Sequence, residues 1–154
     1  MKPEYLVRPL AAERVAQAFP LIRDAVGRVS LEEWSRFASA LTAPGEPDAP
    51  ERASGIVVAE RQGYIRGLCT YQAQPHLGHG LVMLVHHLVV LEVVGRKAVA
   101  DALLSAVDEL AERQGCRALH VTLPLTSEWA VGYLRDRGHS VETHCMCRRL
   151  KAEA

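Results

Sequence analysis

The sequence lacks a long apolar run and an excess of either charge. Eighteen Lys and Arg residues balance eighteen Asp and Glu residues, so the formal net charge is zero. A bilayer span needs roughly 20 consecutive apolar residues, and a start that places Pro3 and Pro9 among charged neighbours is wrong for a signal peptide. Balanced charge gives no general attraction to nucleic acid or to an anionic membrane. We therefore expect a cytoplasmic protein that binds neither.

Cysteine and aromatic residues are also scarce. Aromatic residues make up 5% of the chain, and the cysteines are Cys69, Cys116, Cys145 and Cys147. We place all four in or beside predicted strands, with the last two near the upper distance limit for a disulfide, so reduced thiols are expected. With 154 residues, 49% of them hydrophobic, the chain suits one domain over residues 1–154.

A buried strand that feeds a long helix lies at the centre of the pattern. Residues 81–91 are almost all apolar and rich in β-branched types, which predicts a strand buried on both faces. From Val99 the apolar positions follow helical spacing, and Gly115 supplies a stop. Between them, Gly95-Arg96-Lys97 forms a short basic turn at a helix start, where backbone N–H groups and the helix dipole favour a phosphate-bearing ligand.

Two helices and a hairpin are predicted before this strand. Helical spacing over residues 11–26 is interrupted by Pro20, so that helix should kink or restart there. Ser30 and Glu33 have capping-box spacing before a second helix over residues 31–41. The composition of residues 43–54 predicts a flexible loop. This loop is either a plain surface loop or a lid. Strands over residues 55–60 and 64–73 should then form an antiparallel hairpin.

After the long helix we predict a strand, a short helix and a last strand. Residues 117–123 alternate in polarity and should lie parallel to the central strand. Ser127 is placed as the N-cap of a short helix that stops at Gly138. The final strand is predicted from Ser140 to Leu150.

This order of elements, and the residues at several places, resemble the GNAT superfamily of acyl-CoA-dependent N-acyltransferases over essentially the whole chain. The family's motif A is a strand ending in valine, then a turn of Arg or Gln, x, x, Gly, x, Gly or Ala, then a helix with paired leucines. The matching positions here are Val90, Gly95, Ala98, Ala100, Leu103 and Leu104. Gly95 and Ala98 depart from that motif, and the methyl group of Ala98 would crowd a close approach of phosphate.

The resemblance implies an α/β, layered fold with a mixed, mostly antiparallel sheet, a central splayed pair of parallel strands and about four flanking helices. It also implies acetyl-CoA as cosubstrate. Unpaired backbone of the central strand would meet the pantetheine and thioester, the turn would hold the pyrophosphate, and Ser127 takes the place of the family's asparagine. The implied cofactor-binding residues are Leu88, Val89, Val90, Arg96, Lys97, Ala98, Val99, Ala100 and Ser127.

His86 is the candidate catalytic residue. An amine must lose a proton before it attacks a thioester, and histidine is a suitable base near neutral pH. A member of the family carries histidine at the place matching His86. Strand alternation puts His86 on one face with Leu84 and Leu88, and His87 on the other with Val85 and Val89. The alternative is that both histidines are core residues bonded to backbone or water.

The resemblance leaves two functions open. The first is an N-acyltransferase that acts on a small amine or a peptide amine by direct attack on the thioester, with a backbone N–H near Val89 or Val90 stabilising the oxyanion. The second is a GNAT-like module without catalysis that binds CoA or forms a dimer, and a second copy of the chain is kept as a candidate partner. Leu134 favours the second, because it stands where the family commonly has a tyrosine as general acid.

No metal site is expected from the spacing of His and Cys residues. Two groups of residues contain enough histidine or cysteine to be candidate metal ligands. They are His76, His79, His86 and His87, and His139, His144, Cys145 and Cys147. Neither has a recognised zinc spacing.

Overall fold

Five strands form one sheet in the computed structural model of the chain, which describes residues 4–43, 54–91 and 95–151. They are Leu6–Pro9 (β1), Ser54–Arg61 (β2), Tyr64–His76 (β3), Gly80–Val90 (β4) and Ala118–Val121 (β5). They lie in that order across the sheet, antiparallel up to β4, whereas β4 and β5 are parallel. The predicted mixed, mostly antiparallel sheet with one parallel pair is confirmed.

Four α-helices occur in the described part of the chain: Val15–Val26 (α1), Leu31–Thr42 (α2), Arg96–Arg113 (α3) and Glu128–Asp136 (α4). A 3-10 turn over Ala12–Arg14 leads into α1, which runs through Pro20 and does not restart there. The predicted capping box begins α2: Ser30 accepts from the Glu33 amide at 3.0 Å, and Glu33 accepts from the Ser30 amide at 3.2 Å. No described helix combines the length and apolar character needed to cross a bilayer.

The hairpin of β2 and β3 is confirmed, and its turn is tighter than the sequence predicts. Arg61 pairs with Tyr64, so Gln62 and Gly63 alone make the turn. Their φ angles are 54° and 81°, as a type I′ turn requires. At its other end β3 continues to His76, which shortens the predicted connection to β4 to residues 77–79.

The sheet separates two apolar clusters within residues 1–123. On one face the buried side chains of α3 pack against β2, β3 and β4, and on the other α1 and α2 cover the sheet. The α3-side cluster includes Val57, Cys69, Met83, Val85, Val99, Leu103 and Val107. The opposite cluster includes Leu21, Ile22, Trp34, Ile56, Val58, Ile65 and Leu68.

The predicted last strand is wrong. Contacts divide the chain into two compact units, Met1–Leu123 and Pro124–Ala154. In the second unit α4 is followed by residues 140–151, which have no strand structure and are exposed through residue 151. The residues alternate as a strand would, but a strand needs a partner for its backbone groups. Cys145 and Cys147 are therefore exposed on irregular chain and not in a sheet.

Two further predictions are not decided. Of the predicted flexible loop, residues 44–53 lie outside the described part of the chain. The assignment of residues 1–154 to one domain stays a prediction.

Candidate active site

The N-terminus of α3 lies where the sequence predicts a phosphate-binding turn. Gly95 precedes the helix with φ 81°, a left-handed conformation that glycine adopts without strain. This requirement gives a physical reason for glycine at a position where the family motif has Arg or Gln. The first-turn N–H groups of a helix lack a carbonyl four residues back within it, and here they belong to Arg96, Lys97 and Ala98. This end of α3 therefore favours an anion.

The helix starts at Arg96, three residues before Val99, the first position of the predicted apolar spacing. The Val99 amide donates to the Gly95 carbonyl at 3.2 Å, so it is already used inside the helix. The side chains of Val99 and Ala100 are fully buried in the described structure. Their contribution to a ligand site is therefore to hold the helix on the sheet, whereas Arg96 is half-buried and Lys97 is exposed.

A β-bulge at His86 interrupts the pairing of β4 with β3. Thr70 pairs with His87 and Tyr71 with Val85, so His86 is an extra residue that faces no β3 partner. A bulge of this kind bends its strand and redirects a side chain. His86 is exposed, whereas residues 82–85 immediately before it are buried. The predicted burial of the whole strand on both faces thus holds only for its first half.

The bulge reverses the side-chain alternation that the sequence analysis assumed. Val85 and Leu88 both pack in the α3-side cluster, while Val89 packs on the opposite side. The predicted grouping of His86 with Leu88, and of Val85 with Val89, is therefore wrong. An inserted residue shifts every later side chain to the other face.

The imidazole of His86 is directed toward β5. Pairing of β4 with β5 ends at Val85 and Val121, and β4 continues to Val90. Just beyond this point, Thr122 Oγ1 lies 3.2 Å from His86 Nδ1 and 3.3 Å from the His86 carbonyl oxygen. Its amide also donates to the Val85 carbonyl at 2.9 Å. His86 and Thr122 thus occupy the place where the parallel strands part.

His87 has a different environment from its neighbour. Its Nδ1 lies 3.1 Å from Thr70 Oγ1, and its ring packs edge-on against Phe37 of α2 with centroids 5.7 Å apart. Burial, together with the charge of nearby His86, lowers the pKa of His87 below its ordinary value. His87 thus lies on the sheet face that α1 and α2 cover, where burial favours the neutral form of its ring.

A buried thiol, that of Cys69, lies beside this part of β4. Cys69 pairs with Leu88 and is fully buried. Burial raises the pKa of its thiol to about 12. Because the thiolate is the reactive form, an acyl group is not expected to be carried on Cys69.

The position of the family's tyrosine is on α4, in the second unit. Leu134 is buried, and so is Tyr133, whose hydroxyl lies 3.5 Å from Arg137 Nη1. Ser127 stands at the N-cap position, but its side chain makes no capping hydrogen bond. The leucine side chain has no proton to donate, so the departure noted in the sequence carries through to the structure.

Gly67 controls how closely α3 approaches the end of β4, and this leads to a prediction. A Cβ atom there would lie 2.7 Å from Val99 Cγ1 and 2.9 Å from the Val89 carbonyl oxygen. We expect Gly67→Ala to destabilise the protein by about 1–3 kcal/mol through overpacking. We also expect it to weaken the binding of any ligand at the N-terminus of α3. Urea unfolding and calorimetry measure the two effects.

A matched control is Gly132→Ala in α4, where an added Cβ meets nothing within 4 Å. It should stabilise the helix by about 0.5–1 kcal/mol, because alanine loses less backbone entropy than glycine. Equal unfolding midpoints for Gly67→Ala and the parent protein would contradict the close packing described here.

Sequence reasoning missed Thr122 and the bulge. Thr122 follows a short strand directly, but nothing in the local sequence shows which residue of β4 it will meet. A bulge without a glycine likewise has no strong sequence signal, since it arises from pairing between two strands.

Comparison with known proteins agrees with this fold. The model of the Acetyltransferase (GNAT) family matches residues 22–139. No curated protein matches the chain significantly.

Solved structures of low sequence identity share the architecture. An aminoglycoside N-acetyltransferase AAC(6')-Iy in complex with CoA superposes with a TM-score of 0.80 at 12% identity, covering 99% of this chain and 98% of that one. A transcriptional regulator from Bacillus halodurans C-125 gives 0.79 at 13% identity, covering 95% and 99%. The ribosomal-protein-alanine N-acetyltransferase from Brucella melitensis biovar Abortus 2308 gives 0.71 at 17% identity, covering 96% and 99%.

These structures support the fold, and the family model spans well over half of the sequence. The chain therefore belongs to the GNAT acetyltransferase family.

Proposed function

We propose that the protein transfers an acetyl group from acetyl-CoA to a primary amine, of a small molecule or a peptide, by direct attack on the thioester. The observation that carries the proposal is the bulge that places His86 beside Thr122, where β4 and β5 part. It puts a titratable side chain next to backbone that pairs with no β5 residue in the described part of the chain.

Acetyl-CoA would lie between this opening and the start of α3. The first-turn amides of α3 and the side chains of Arg96 and Lys97 would hold the pyrophosphate. Backbone of Leu88, Val89 and Val90 would meet the pantetheine and the thioester. Ser127 remains a proposed contact by its place in the family pattern.

His86 would act as general base in the transfer. The amine nitrogen attacks the thioester carbonyl carbon while the imidazole takes the amine's proton. A backbone N–H of Val89 or Val90 stabilises the oxyanion until the C–S bond breaks. Since Leu134 cannot donate a proton, the leaving thiolate takes its proton from solvent.

Thr122 would fix the tautomer of this base. When its hydroxyl donates to the His86 carbonyl at 3.3 Å, its oxygen accepts a hydrogen from Nδ1 at 3.2 Å. Nε2 is then left with its lone pair directed outward, as a base requires. Thr122 is thus a positioning residue in this proposal.

The second candidate is a GNAT-like module that binds CoA without transfer or forms a dimer. Leu134 favours it, because the side chain at the general-acid position is buried and purely hydrocarbon. Release of CoA thiol with a panel of primary amines separates the two functions. The cytoplasmic location and the homodimer stay predictions.

Acetyl-CoA binding tests both candidates. At about a hundred times its dissociation constant, the ligand should stabilise the fold by roughly 2.7 kcal/mol. Arg96→Ala with Lys97→Ala should weaken binding about tenfold at low salt and less at high salt, because screening removes part of the charge attraction. Isothermal calorimetry at two salt concentrations measures this.

A matched control removes the same charge elsewhere, through Arg148→Ala with Arg149→Ala, both exposed on the chain after α4. It should leave affinity unchanged. Millimolar acetyl-CoA without effect on the melting curve or the calorimetric trace would remove both acyl-CoA functions and leave only the dimer-forming module. Unchanged affinity in the Arg96 and Lys97 variant would place the phosphates elsewhere.

A further inference from the structure

A cavity of about 290 Å³ opens beside β1 and β2. This volume is at the lower end of the range for ligand cavities, roughly 300–1,000 Å³. Its polar wall consists of Arg8, Arg14, Gln17 and Glu60, and Pro9 and Ala11 contribute apolar surface. Because β3 separates β2 from β4, the cavity lies apart from His86 and the opening between β4 and β5. We call it the arginine pocket.

Strand alternation explains why charged side chains converge there. Val7 packs in the α3-side cluster, so Arg8 projects from the opposite face of β1. Val58 packs on that opposite face of β2, and Glu60 follows it by two residues. The 3-10 turn after β1 then brings Arg14 to the same carboxylate. Two cations from neighbouring elements therefore share one anion.

The charges of the arginine pocket lie in two layers. The Glu60 side chain is almost fully buried, whereas those of Arg8 and Arg14 are 53% and 23% exposed. Arg8 bonds to Oε1 of the carboxylate and Arg14 to Oε2. The negative charge is thus covered by the two guanidinium groups, and the three side chains together carry one net positive charge. An entering ligand meets positive groups first.

Arg14 is fixed in place by several hydrogen bonds. Besides Glu60, its Nη2 donates to the Gly63 carbonyl at 3.2 Å and its Nε donates to Gln17 Oε1 at 3.0 Å. The second of these bonds also orients the amide of Gln17. This arrangement is formed without a ligand, so little conformational entropy remains to be lost on binding.

Other donors on the wall have no partner within the residues that the structure describes. Arg8 bonds through Nη2 alone, so its Nε and Nη1 hydrogens are available. Gln17 uses its carbonyl oxygen, which leaves both hydrogens of its amide nitrogen. The pocket therefore offers donors from two side chains at one positively charged wall.

We propose that the arginine pocket binds the phosphate group of a small molecule. A guanidinium group matches phosphate geometry through parallel N–H···O bonds. A phosphate group has three terminal oxygens, so it can accept from Arg8, Arg14 and Gln17 together, whereas a carboxylate has only two. The remaining volume suits a small organic part beside Pro9 and Ala11. None of these residues is assigned to acyl transfer.

Titration of isotope-labelled protein with inorganic phosphate tests the proposal at single side chains. Arg96→Ala with Lys97→Ala forms the background, because the start of α3 is itself a proposed phosphate site. Ionic strength is held constant with chloride, so that screening does not change during the titration. We expect saturable shifts of the Arg8 and Arg14 Nε–Hε resonances and of the Gln17 side-chain amide.

Acetate is the comparison ligand, and Arg61 is the internal control. Acetate, with one oxygen fewer, should bind at least about tenfold more weakly than phosphate. The Arg61 Nε–Hε resonance should not shift, because Arg61 bonds to Glu4 and does not line the pocket. Absence of saturable shifts at millimolar phosphate would overturn the proposal, and so would acetate binding as tight as that of phosphate.

Single variants measure the contribution of each donor. Arg8→Gln should weaken phosphate binding about 10- to 100-fold, because it removes a charged hydrogen-bond donor. Gln17→Ala should weaken it about 2- to 10-fold and keep the fold, since alanine favours a helix. Arg61→Gln removes an arginine that is 50% exposed, much like Arg8, and should have no effect. Parent affinity in both Arg8→Gln and Gln17→Ala would contradict the assignment.

Acetyl-CoA distinguishes the arginine pocket from the proposed CoA site. With Arg96 and Lys97 intact, Arg8→Gln should leave the affinity for acetyl-CoA unchanged while phosphate binding at the pocket is weakened. An equal loss of acetyl-CoA affinity would show that the pocket holds a phosphate of CoA, which would overturn the proposal of a separate site. Failure of acetyl-CoA to bind at all would reject the acyl-CoA functions and leave the phosphate titration unaffected.

Discussion

His86→Gln is expected to lower turnover by about 10²–10⁴, the range that general-base catalysis contributes, while the fold and the affinity for CoA stay unchanged. The substitution keeps a polar side chain beside Thr122 but removes the group that titrates. The acidic limb of the pH–rate profile should disappear with it. Thiol release measured against pH, with an amine found active in the panel, gives both quantities.

Two histidine variants serve as controls for this experiment. His144→Gln removes an exposed imidazole outside the site and should leave turnover unchanged. His87→Gln should act mainly on stability, because His87 is packed against Phe37 and bonded to Thr70. Normal turnover and an unaltered pH profile in His86→Gln would show that the amine arrives deprotonated or loses its proton to water.

The structure changes the reason for choosing His86. Alternation along an uninterrupted strand grouped it with Leu88, but the bulge at His86 places Val85 and Leu88 on one face. What now distinguishes His86 is its exposure and its contact with Thr122. A local pattern gives the side chain's chemistry, whereas its direction depends on how β4 pairs with β3.

Elements with strong local signals were predictable. The capping box at Ser30 and Glu33 and the hairpin turn near Gly63 each act over a few residues, and both were found, although the turn was predicted one residue longer than it is. The apolar spacing of α3 and the buried start of β4 were also correct in type. The start of α3 was not, because Arg96 and Lys97 have no apolar period and the deciding feature is the left-handed backbone of Gly95.

Features that depend on a distant partner were not predictable. Residues 140–150 have the composition of a strand, but no strand structure forms there. The position of Thr122 beside His86 follows from the register of β5 on β4. One sequence shows which residues are able to pair, and the sheet as a whole decides which of them do.

A buried carboxylate on β2, that of Glu60, is bonded to two arginines and holds β1 and the 3-10 turn against β2. Removing these arginines is expected to have the second large effect. The Glu60 side chain is 3% exposed, and Arg8 of β1 and Arg14 of the 3-10 turn both bond to its carboxylate. Arg14 also donates to the Gly63 carbonyl at 3.2 Å. The carboxylate therefore depends on these two cations in place of the water that it lost on burial.

Arg8→Met together with Arg14→Met is expected to destabilise the fold by about 3–5 kcal/mol at pH 7, because it leaves a buried carboxylate without its partners. Methionine retains much of the apolar packing of the arginine stem, so the loss is mainly electrostatic. Glu60→Gln should lower the free energy of unfolding by less, because the side chains of Arg8 and Arg14 are 53% and 23% exposed and water can solvate them. Urea unfolding of each variant measures the differences.

The pH dependence of stability separates loss of charge pairing from loss of packing. Burial alone would raise the pKa of Glu60, but hydrogen bonds and charges from Arg14 and Arg8 outweigh it, so the pKa is lowered from its ordinary 4.5. The unfolded state then binds this proton more readily, and the contribution of Glu60 is present above pH 4.5 and lost as pH falls through the folded pKa. In the arginine double variant, burial is the only one of these influences on the pKa of Glu60 that remains. Its folded pKa should lie above the unfolded one, so acidification toward pH 4.5 should stabilise it relative to the parent.

Adding Glu60→Gln to the arginine double variant should recover most of the lost stability at pH 7, because the unpartnered charge is then gone. It should also abolish the relative gain on acidification, since no group at this position titrates. If instead the triple variant is as unstable as the double one, and both follow the parent's pH dependence, the two arginines stabilise the fold by packing alone. The buried charge of Glu60 would then have no part in holding β1 and the 3-10 turn against β2.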